Sequence, residues 1–196
     1  MSDLSFPNAA QHIALQEYRD AIAETEQRIN RLTDHLRQLA PTWRWAPVVA
    51  ALQALRGVSF ITAVALVAEL GDLTRFGHPR ELMAYLGLVP SEYSSGPQVR
   101  RGAITKAGNP HVRRLLAESA WAYQGMPRIG RRHADRQDAL PKVVCDIAWK
   151  AQLRLTTRFR RLVGRGKAKP KVATAIAREL AGFVWAIAQE VSPTSR

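Results

Sequence analysis

The stretch that decides the fold is a helical repeat at 15–39, which reads LQEYRDAIAETEQRINRLTDHLRQL. Its seam positions recur in steps of three and four, at Leu15, Tyr18, Ile22, Thr25, Ile29, Leu32, Leu36 and Leu39. This heptad spacing predicts a helix over 8–39 that is ended by Pro41. So narrow a seam favours a coiled coil, with another chain or by folding back, and makes 1–42 a coiled-coil domain. The alternative is a helix packed on its own domain.

The remainder of the chain, 43–196, predicts a mainly α domain, because apolar residues recur at helical spacing without any alternation of strands and helices. Helices are predicted at 48–55, 60–70, 78–86, 110–123, 141–162 and 170–191. Between them, 87–108 is rich in Gly, Pro and Ser and predicts a loop or short hairpin, and 125–137 predicts a polar connector. The domain would thus contain a helix-hairpin-helix-like element at 48–71, a serine loop at 87–108 and a helical tail at 141–191.

A tight connection, Arg56-Gly57-Val58-Ser59, joins the two helices predicted within 48–71. Backbone N–H groups at the start of a helix can hold a phosphate, which makes Gly57 and Ser59 candidate nucleic-acid contacts. Usual helix-hairpin-helix elements carry a second glycine where Ser59 stands. A plain hairpin of two helices is therefore the alternative.

The charge of the chain points to a polyanionic partner. Its 29 Lys and Arg exceed its 16 Asp and Glu by 13, and the excess lies in two blocks without acids, 100–114 and 150–171. The first block contains Arg100, Arg101, Lys106, Arg113 and Arg114, and the second includes Arg158 and Arg161. Two blocks favour a phosphate-contacting surface over a solubilising one. An acidic membrane surface is the weaker alternative partner.

The cellular compartment is predicted from the cysteine content and from the N-terminal residues. A single cysteine suits a reducing environment, and the N-terminal residues do not form a signal peptide. We therefore expect a cytoplasmic protein without a membrane partner.

Three ordered segments carry a family resemblance. The stretches LQALRGVSFITAVALVAELGDLTRF from Leu52, LMAYLGLVPSEYSSG, and RRGAITKAGNPHVRRLLAESAW resemble the C-terminal domain of insertion-sequence 110/1111 transposases, the IS116/IS110/IS902 family. The later segment IAWKAQLRLTTRFRRLVGRGKAKPKVATAIARELAGFVWAI resembles the tail of that domain. The resemblance covers roughly 50–190, and the helix of 15–39 resembles the coiled coil that precedes the domain.

The resemblance implies site-specific DNA recombination with a serine nucleophile just before a glycine. Carried over, the nucleophile is Ser95, with Ser94 as the fallback, and a covalent serine–DNA intermediate is implied. The residues expected to contact nucleic acid are Gly57, Ser59, Arg100, Arg101, Lys106, Asn109, Arg113, Arg114, Arg158 and Arg161. A loop serine before a glycine is otherwise an ordinary turn residue.

The resemblance also implies partners. Family members carry an N-terminal RuvC-like domain whose acidic residues bind divalent metal such as Mg²⁺. This chain begins at the coiled coil, so we expect no metal or other cofactor in it and little strand transfer from it alone. Some members use a bridging non-coding RNA, and homo-oligomers through 15–39 are expected. The alternative function is a non-enzymatic helical module that binds nucleic acid or mediates oligomerisation.

Overall fold

The fold consists of two compact units, one up to Trp43 and one from Arg44 onward. It is seen in a computed structural model that describes residue 6, residues 8–92 and 101–191, and residues 193 and 194, with the side chains at 101 and 132 left out. Each unit is described by itself below.

The first unit is a single long helix, α1 (Ala9–Leu39), followed by a short 3₁₀ turn at Ala40–Thr42. Asn8 caps α1 by accepting a hydrogen bond from the Ala10 N–H at 2.9 Å. None of the α1 residues, all of which the structure describes, is buried, and Tyr18 is 73% exposed. The predicted helix is confirmed. The apolar seam of α1 is exposed to solvent rather than packed on a second helix, so the coiled coil stays a prediction.

The second unit is mainly helical with one small antiparallel hairpin. Its hairpin pairs β1 (Pro90–Glu92) with β2 (Arg101–Ile104), with Pro90 opposite Ile104. Its helices are α2 (Ala46–Leu52), α3 (Phe60–Leu70), α4 (Pro79–Tyr85), α5 (Pro110–Ala120), α6 (Arg131–Gln137), α7 (Lys142–Gly164) and α8 (Lys169–Glu190). Short 3₁₀ turns lie at Leu73–Arg75 and Trp121–Gln124. The mainly α fold class is confirmed.

The core of this unit is built around α8, which packs against α2, α4, α5 and α7. Val172, Ile176, Leu180, Val184 and Ile187 recur at helical spacing and are all buried. Burying such a stripe against several helices supplies most of the stabilisation of a helical domain. Because α7 and α8 both have one buried face, the polar faces of the two helices remain available to build a surface site.

Two predicted boundaries are corrected by the structure. The predicted helix 48–55 ends at Leu52, because the next N–H groups, of Gln53, Ala54 and Leu55, bond three residues back as tight turns. The segment 125–137 is not wholly a connector, since it contains α6. That helix is short and has no buried apolar stripe that periodicity could detect.

The α2–α3 connection is a tight turn that packs against α5. Gly57 has φ +83°, and a Cβ there would lie 2.4 Å from Ser119 O. Glycine is therefore required by the close approach of two backbones. Ser59 caps α3, because its hydroxyl accepts from Thr62 N–H at 3.2 Å. Contact of this turn with a DNA phosphate stays a prediction.

Over the described ranges, no helix is both long enough and apolar enough to cross a bilayer.

Candidate nucleic-acid interface

The predicted serine loop is described only at its two ends. Ser94, Ser95 and Arg100 lie outside the described residues, and of Arg101 the backbone alone is described. Strand β1 leads into the segment and strand β2 follows it. Within the hairpin, the Ser91 hydroxyl donates to Ala103 O at 3.0 Å, which ties β1 to β2.

The hairpin is fastened to the end of α4 by backbone bonds. Thr105 N–H donates to Val89 O at 2.9 Å, and Lys106 N–H donates to Gly87 O at 3.0 Å. Lys106 itself has φ +58°, a left-handed conformation uncommon for a residue with a side chain. Gly108 has φ +71°, and a Cβ there would lie 1.8 Å from Tyr85 O. The backbone that follows the serine segment is thus packed closely on its neighbours.

Asn109 caps α5 and links it to α3. Its side-chain oxygen accepts from the N–H groups of His111 and Val112, at 2.9 and 3.1 Å, so two amides at this helix start are already bonded. Its Nδ2 donates to Glu69 Oε2 at 2.7 Å, and His111 Nδ1 donates to Glu69 Oε1 at 3.0 Å. The hydrogen bonds from His111 and Asn109 lower the pKa of the Glu69 carboxyl.

Two arginines of the first basic block, Arg113 and Arg114, form bonds within the protein. Arg113 Nη1 donates to Leu86 O at 3.0 Å and to Ala107 O at 2.9 Å, which joins α5 to the end of α4. Arg114 forms an ion pair with Glu118 one turn further along α5, at 3.6 Å. Arg113 therefore acts as a brace between chain segments, whereas Arg114 lies on the exposed face of α5.

A basic pocket of about 940 Å³ lies between the start of α4, strand β2 and the facing parts of α7 and α8. Apolar and small residues form part of its lining, among them Met83, Leu88, Ala103 and Ile104. Its cationic residues are Arg80, Lys106, Arg154, Arg158, Lys171 and Arg178. We call this cavity the basic pocket.

One carboxylate, Glu179, lines the basic pocket among the described residues and holds two of its arginines. Arg154 Nε donates to Glu179 Oε2 at 2.8 Å, and Arg158 forms an ion pair with the other oxygen. Glu179 is only 16% exposed and is therefore shielded, whereas the side chain of Arg154 is 64% exposed. The remaining cations, Arg80, Lys106, Lys171 and Arg178, take part in no ion pair within the described part of the chain. The pocket therefore keeps a positive potential suited to phosphate.

The structure brings together only two of the predicted contact residues whose side chains it describes. Lys106 and Arg158 line the basic pocket, whereas Arg161 and Asn109 do not. The predicted contact residues did not include Arg80, Arg154, Lys171 or Arg178, which also line the basic pocket. The available signal was spacing, because Arg154 and Arg158 are four apart and Lys171 and Arg178 are seven apart, which puts each pair on one helix face.

The described residues do not assemble a metal site. Within 8–92 and 101–191, no three His, Cys, Asp or Glu side chains gather into a group that could hold an ion. Glu69 and His111 meet without a third such ligand, and Glu69 is already occupied by two hydrogen-bond donors. These two residues therefore do not make a site for a divalent ion.

The fold and the basic pocket identify the chain as a mainly helical protein with a strongly positive net charge and a cationic surface site. Comparison with known proteins narrows this class: the profile of the transposase IS116/IS110/IS902 family matches residues 49–135. The chain belongs to this transposase family.

Named relatives extend the match beyond the profile. The protein y4qE of Sinorhizobium fredii is 48% identical over 100% of this chain and 47% of its own length. A family 20 transposase of Pseudomonas aeruginosa is 33% identical over 88% of this chain and 44% of its own length. The IS1111A transposase of Coxiella burnetii is 39% identical over 36% of this chain. All three carry the word transposase in their names, and the chain spans about half the length of the first two.

Proposed function

We propose that this chain is the DNA-binding, catalytic-serine part of a transposase and that the basic pocket contacts the DNA backbone. The observation that carries the proposal is the placement of the pocket. Strand β2, which follows the serine segment in the chain, contributes Gly102, Ala103 and Ile104 to the pocket wall. The predicted nucleophile is therefore only a few residues along the chain from a strand that forms part of the pocket wall.

The charges suit a phosphodiester backbone. Arginine offers a planar pair of donors to phosphate oxygens, and lysine offers a compact charge. Four pocket cations, Arg80, Lys106, Lys171 and Arg178, are not neutralised by ion pairs within the described residues. Binding DNA would release counterions from its phosphates, so affinity should fall as salt rises.

The proposed chemistry is a transesterification. The Ser95 hydroxyl oxygen attacks phosphorus, one phosphodiester P–O bond breaks, and the hydroxyl proton ends on the leaving oxygen of the DNA. The number of phosphate ester bonds is unchanged, so no external energy source is needed. Cations around the phosphate would stabilise the negative charge that builds up on its oxygens. A divalent metal would belong to a RuvC-like partner domain, and a bridging RNA stays a prediction.

DNA binding tests the pocket directly. The Lys171→Gln/Arg178→Gln double variant should weaken binding of a 32P-labelled duplex by about ten-fold or more, since each phosphate contact contributes on the order of 1 kcal/mol. The Lys142→Gln/Lys150→Gln variant is the matched control, because both lysines are exposed on α7 and lie outside the pocket. Equal loss in the two variants would show that general charge, rather than the pocket, drives binding.

Mass spectrometry tests the nucleophile. With an acidic RuvC-like partner domain supplied in trans and a nicked substrate duplex, we expect a DNA adduct on Ser95 that Ser95→Ala abolishes. Ser91→Ala is the control, because Ser91 is held by Ala103 O in the hairpin. An adduct on Ser94 would move the nucleophile to the fallback residue, and the absence of any adduct would contradict a catalytic role.

A second candidate function, an oligomerisation module, is supported by the open seam of α1. Ile22, Ile29, Leu32 and Leu39 are each more than half exposed on one helix. Replacing Ile22 and Ile29 with Lys should turn a dimer into a monomer in light scattering, and Gln27→Lys off the seam should not. A chain that is monomeric before substitution would contradict this role.

A further inference from the structure

We propose that a second, smaller cleft binds one backbone phosphate of a nucleic acid, at a position distinct from the basic pocket. The cleft, which we call the hairpin cleft, lies where the α2–α3 connection meets the segment that leads into α6. The proposal rests on the proposed DNA-binding function and deepens it. Of the residues around this cleft the sequence predicted only Gly57 as a nucleic-acid contact, and the structure adds the side chains of Arg56, Arg128 and Arg136.

The lining of the hairpin cleft is strongly basic. Its volume is about 230 Å³, and it is lined by Leu55, Arg56, Gly57, Val58, Arg128, Gly130, His133 and Arg136. Among the described residues, no carboxylate lines this cleft and no residue lines both it and the basic pocket. Three guanidinium groups around a small cavity form an anion site unless a carboxylate neutralises them.

Arg56 is fixed in place before any ligand arrives. Its Nη1 donates to Met126 O at 2.7 Å and to Gln152 Oε1 at 3.1 Å. Gln152 is 3% exposed and also accepts from Arg128 N–H at 3.3 Å, so it connects the two arginine-bearing segments. Both of these bonds of Arg56 use one nitrogen, which leaves the rest of the guanidinium to donate to a phosphate. A pre-positioned arginine loses little side-chain entropy when it binds.

His133 lies in the cleft beside these arginines, and its pKa is lowered mainly by burial. The charges of Arg136 and Arg56 lower this pKa further, and a hydrogen bond with the Ala54 backbone acts in the opposite direction. The two nearby acids of α6 and its end, Asp135 and Asp138, are exposed and do not line the cleft. An anion bound among the arginines would offset their charges and favour the charged imidazole.

The size and walls of the cleft favour a single phosphate group. Pockets for whole small molecules usually occupy about 300–1,000 Å³, which is more than this cleft offers. Gly57 and Gly130 contribute walls without side chains, which allows a phosphate to approach the backbone closely. Because a strongly basic transposase-family chain meets DNA, a phosphodiester of the DNA backbone is the occupant that we infer.

The first experiment probes the anion in the full chain by NMR of labelled histidine. The His133 signal is assigned by its loss in His133→Gln. Inorganic phosphate should shift that signal and raise the pKa of His133, while chloride at equal ionic strength should not. Arg128→Gln/Arg136→Gln should weaken the phosphate effect at least five-fold. Arg131→Gln should leave it intact, because Arg131 is exposed on α6 and lies outside the cleft.

The second experiment measures duplex DNA affinity against salt for the same variants. Arg128→Gln/Arg136→Gln should reduce the slope of log affinity against log salt by about 1, as loss of one phosphate contact does, and Arg131→Gln should change it less. A cleft variant that behaves like Arg131→Gln in either experiment overturns the proposal. If the cleft variant fails in this way but the Lys171→Gln/Arg178→Gln variant binds duplex DNA more weakly than the original chain, the proposed function stands without the cleft. If the chain binds inorganic phosphate in the cleft but binds no duplex DNA, both the proposed DNA-binding function and the assignment of DNA to this cleft are overturned.

Discussion

The two basic blocks of the sequence have different roles in the fold. In the first block, Arg113 is bonded to two backbone carbonyls and Arg114 to a neighbouring carboxylate. In the second block and the α8 residues after it, Lys171 and Arg178 open into the basic pocket with no ion pair among the described residues. Sequence charge alone therefore does not measure the charge that a ligand meets. Among the described residues, Arg113 of the first block braces the fold, whereas Lys171 of the second block lines the basic pocket.

The largest expected effect contrasts one glycine from each block. Gly108→Ala should lower the free energy of unfolding by about 3 kcal/mol or more, because the added Cβ would collide with Tyr85 O at a positive φ. Gly166→Ala should cost only about 1 kcal/mol, since Gly166 shares the positive φ but has no atom within 4 Å of its Cβ position. Urea unfolding measures both, and equal losses would contradict the tight packing of the first block.

The next effect contrasts two cations. Arg113→Gln should lower the free energy of unfolding by about 2 kcal/mol, because it leaves the carbonyls of Leu86 and Ala107 without their charged donor. Lys171→Gln should change it by less than about 0.5 kcal/mol, as expected for an exposed side chain. Thermal and urea unfolding measure the change in the free energy of unfolding for both variants. A stable Arg113→Gln variant would mean that this arginine does not act as a brace.

DNA binding should show the opposite order. Arg178→Gln should reduce the salt slope of duplex binding by about 1, as loss of one phosphate contact does. Arg114→Gln, the matched change in the first block, should leave the slope nearly unchanged because Arg114 lies outside the basic pocket. Fluorescence anisotropy across a salt series measures both slopes. A larger reduction of the salt slope for Arg114→Gln than for Arg178→Gln would indicate that the DNA contacts the first basic block instead.

The smallest effect is a pH dependence at the α3–α5 link. The lowered pKa of Glu69 means that its contribution to stability is present above its unfolded pKa and is lost as pH falls through the folded value, below about pH 4.5. Glu69→Gln should therefore flatten the decline of stability in acid. Glu118→Gln, which removes a carboxylate that is 62% exposed on α5, is the control. Identical acid profiles for the Glu69→Gln variant and the original chain would show that the link contributes nothing.

The helices were predictable because their apolar spacing is strong. The seam of α1 and the buried stripe from Val172 to Ile187 can both be detected from the sequence alone. The basic pocket could be predicted only in part, since it depends on the tertiary packing that brings Arg80 of α4 near Arg178 of α8. Likewise, nothing in the sequence distinguishes the brace Arg113 from a ligand-facing arginine, because its carbonyl partners lie 6 and 27 residues away.

Lysine footprinting tests the central claim most directly. Acetylation of the full chain, with and without duplex DNA, reads out each lysine by mass spectrometry. The account predicts that DNA protects Lys106 and Lys171, which line the basic pocket, while Lys142 and Lys150 on α7 react equally in both states. Uniform protection of all four lysines, or protection confined to Lys142 and Lys150, would contradict the basic pocket as the DNA contact.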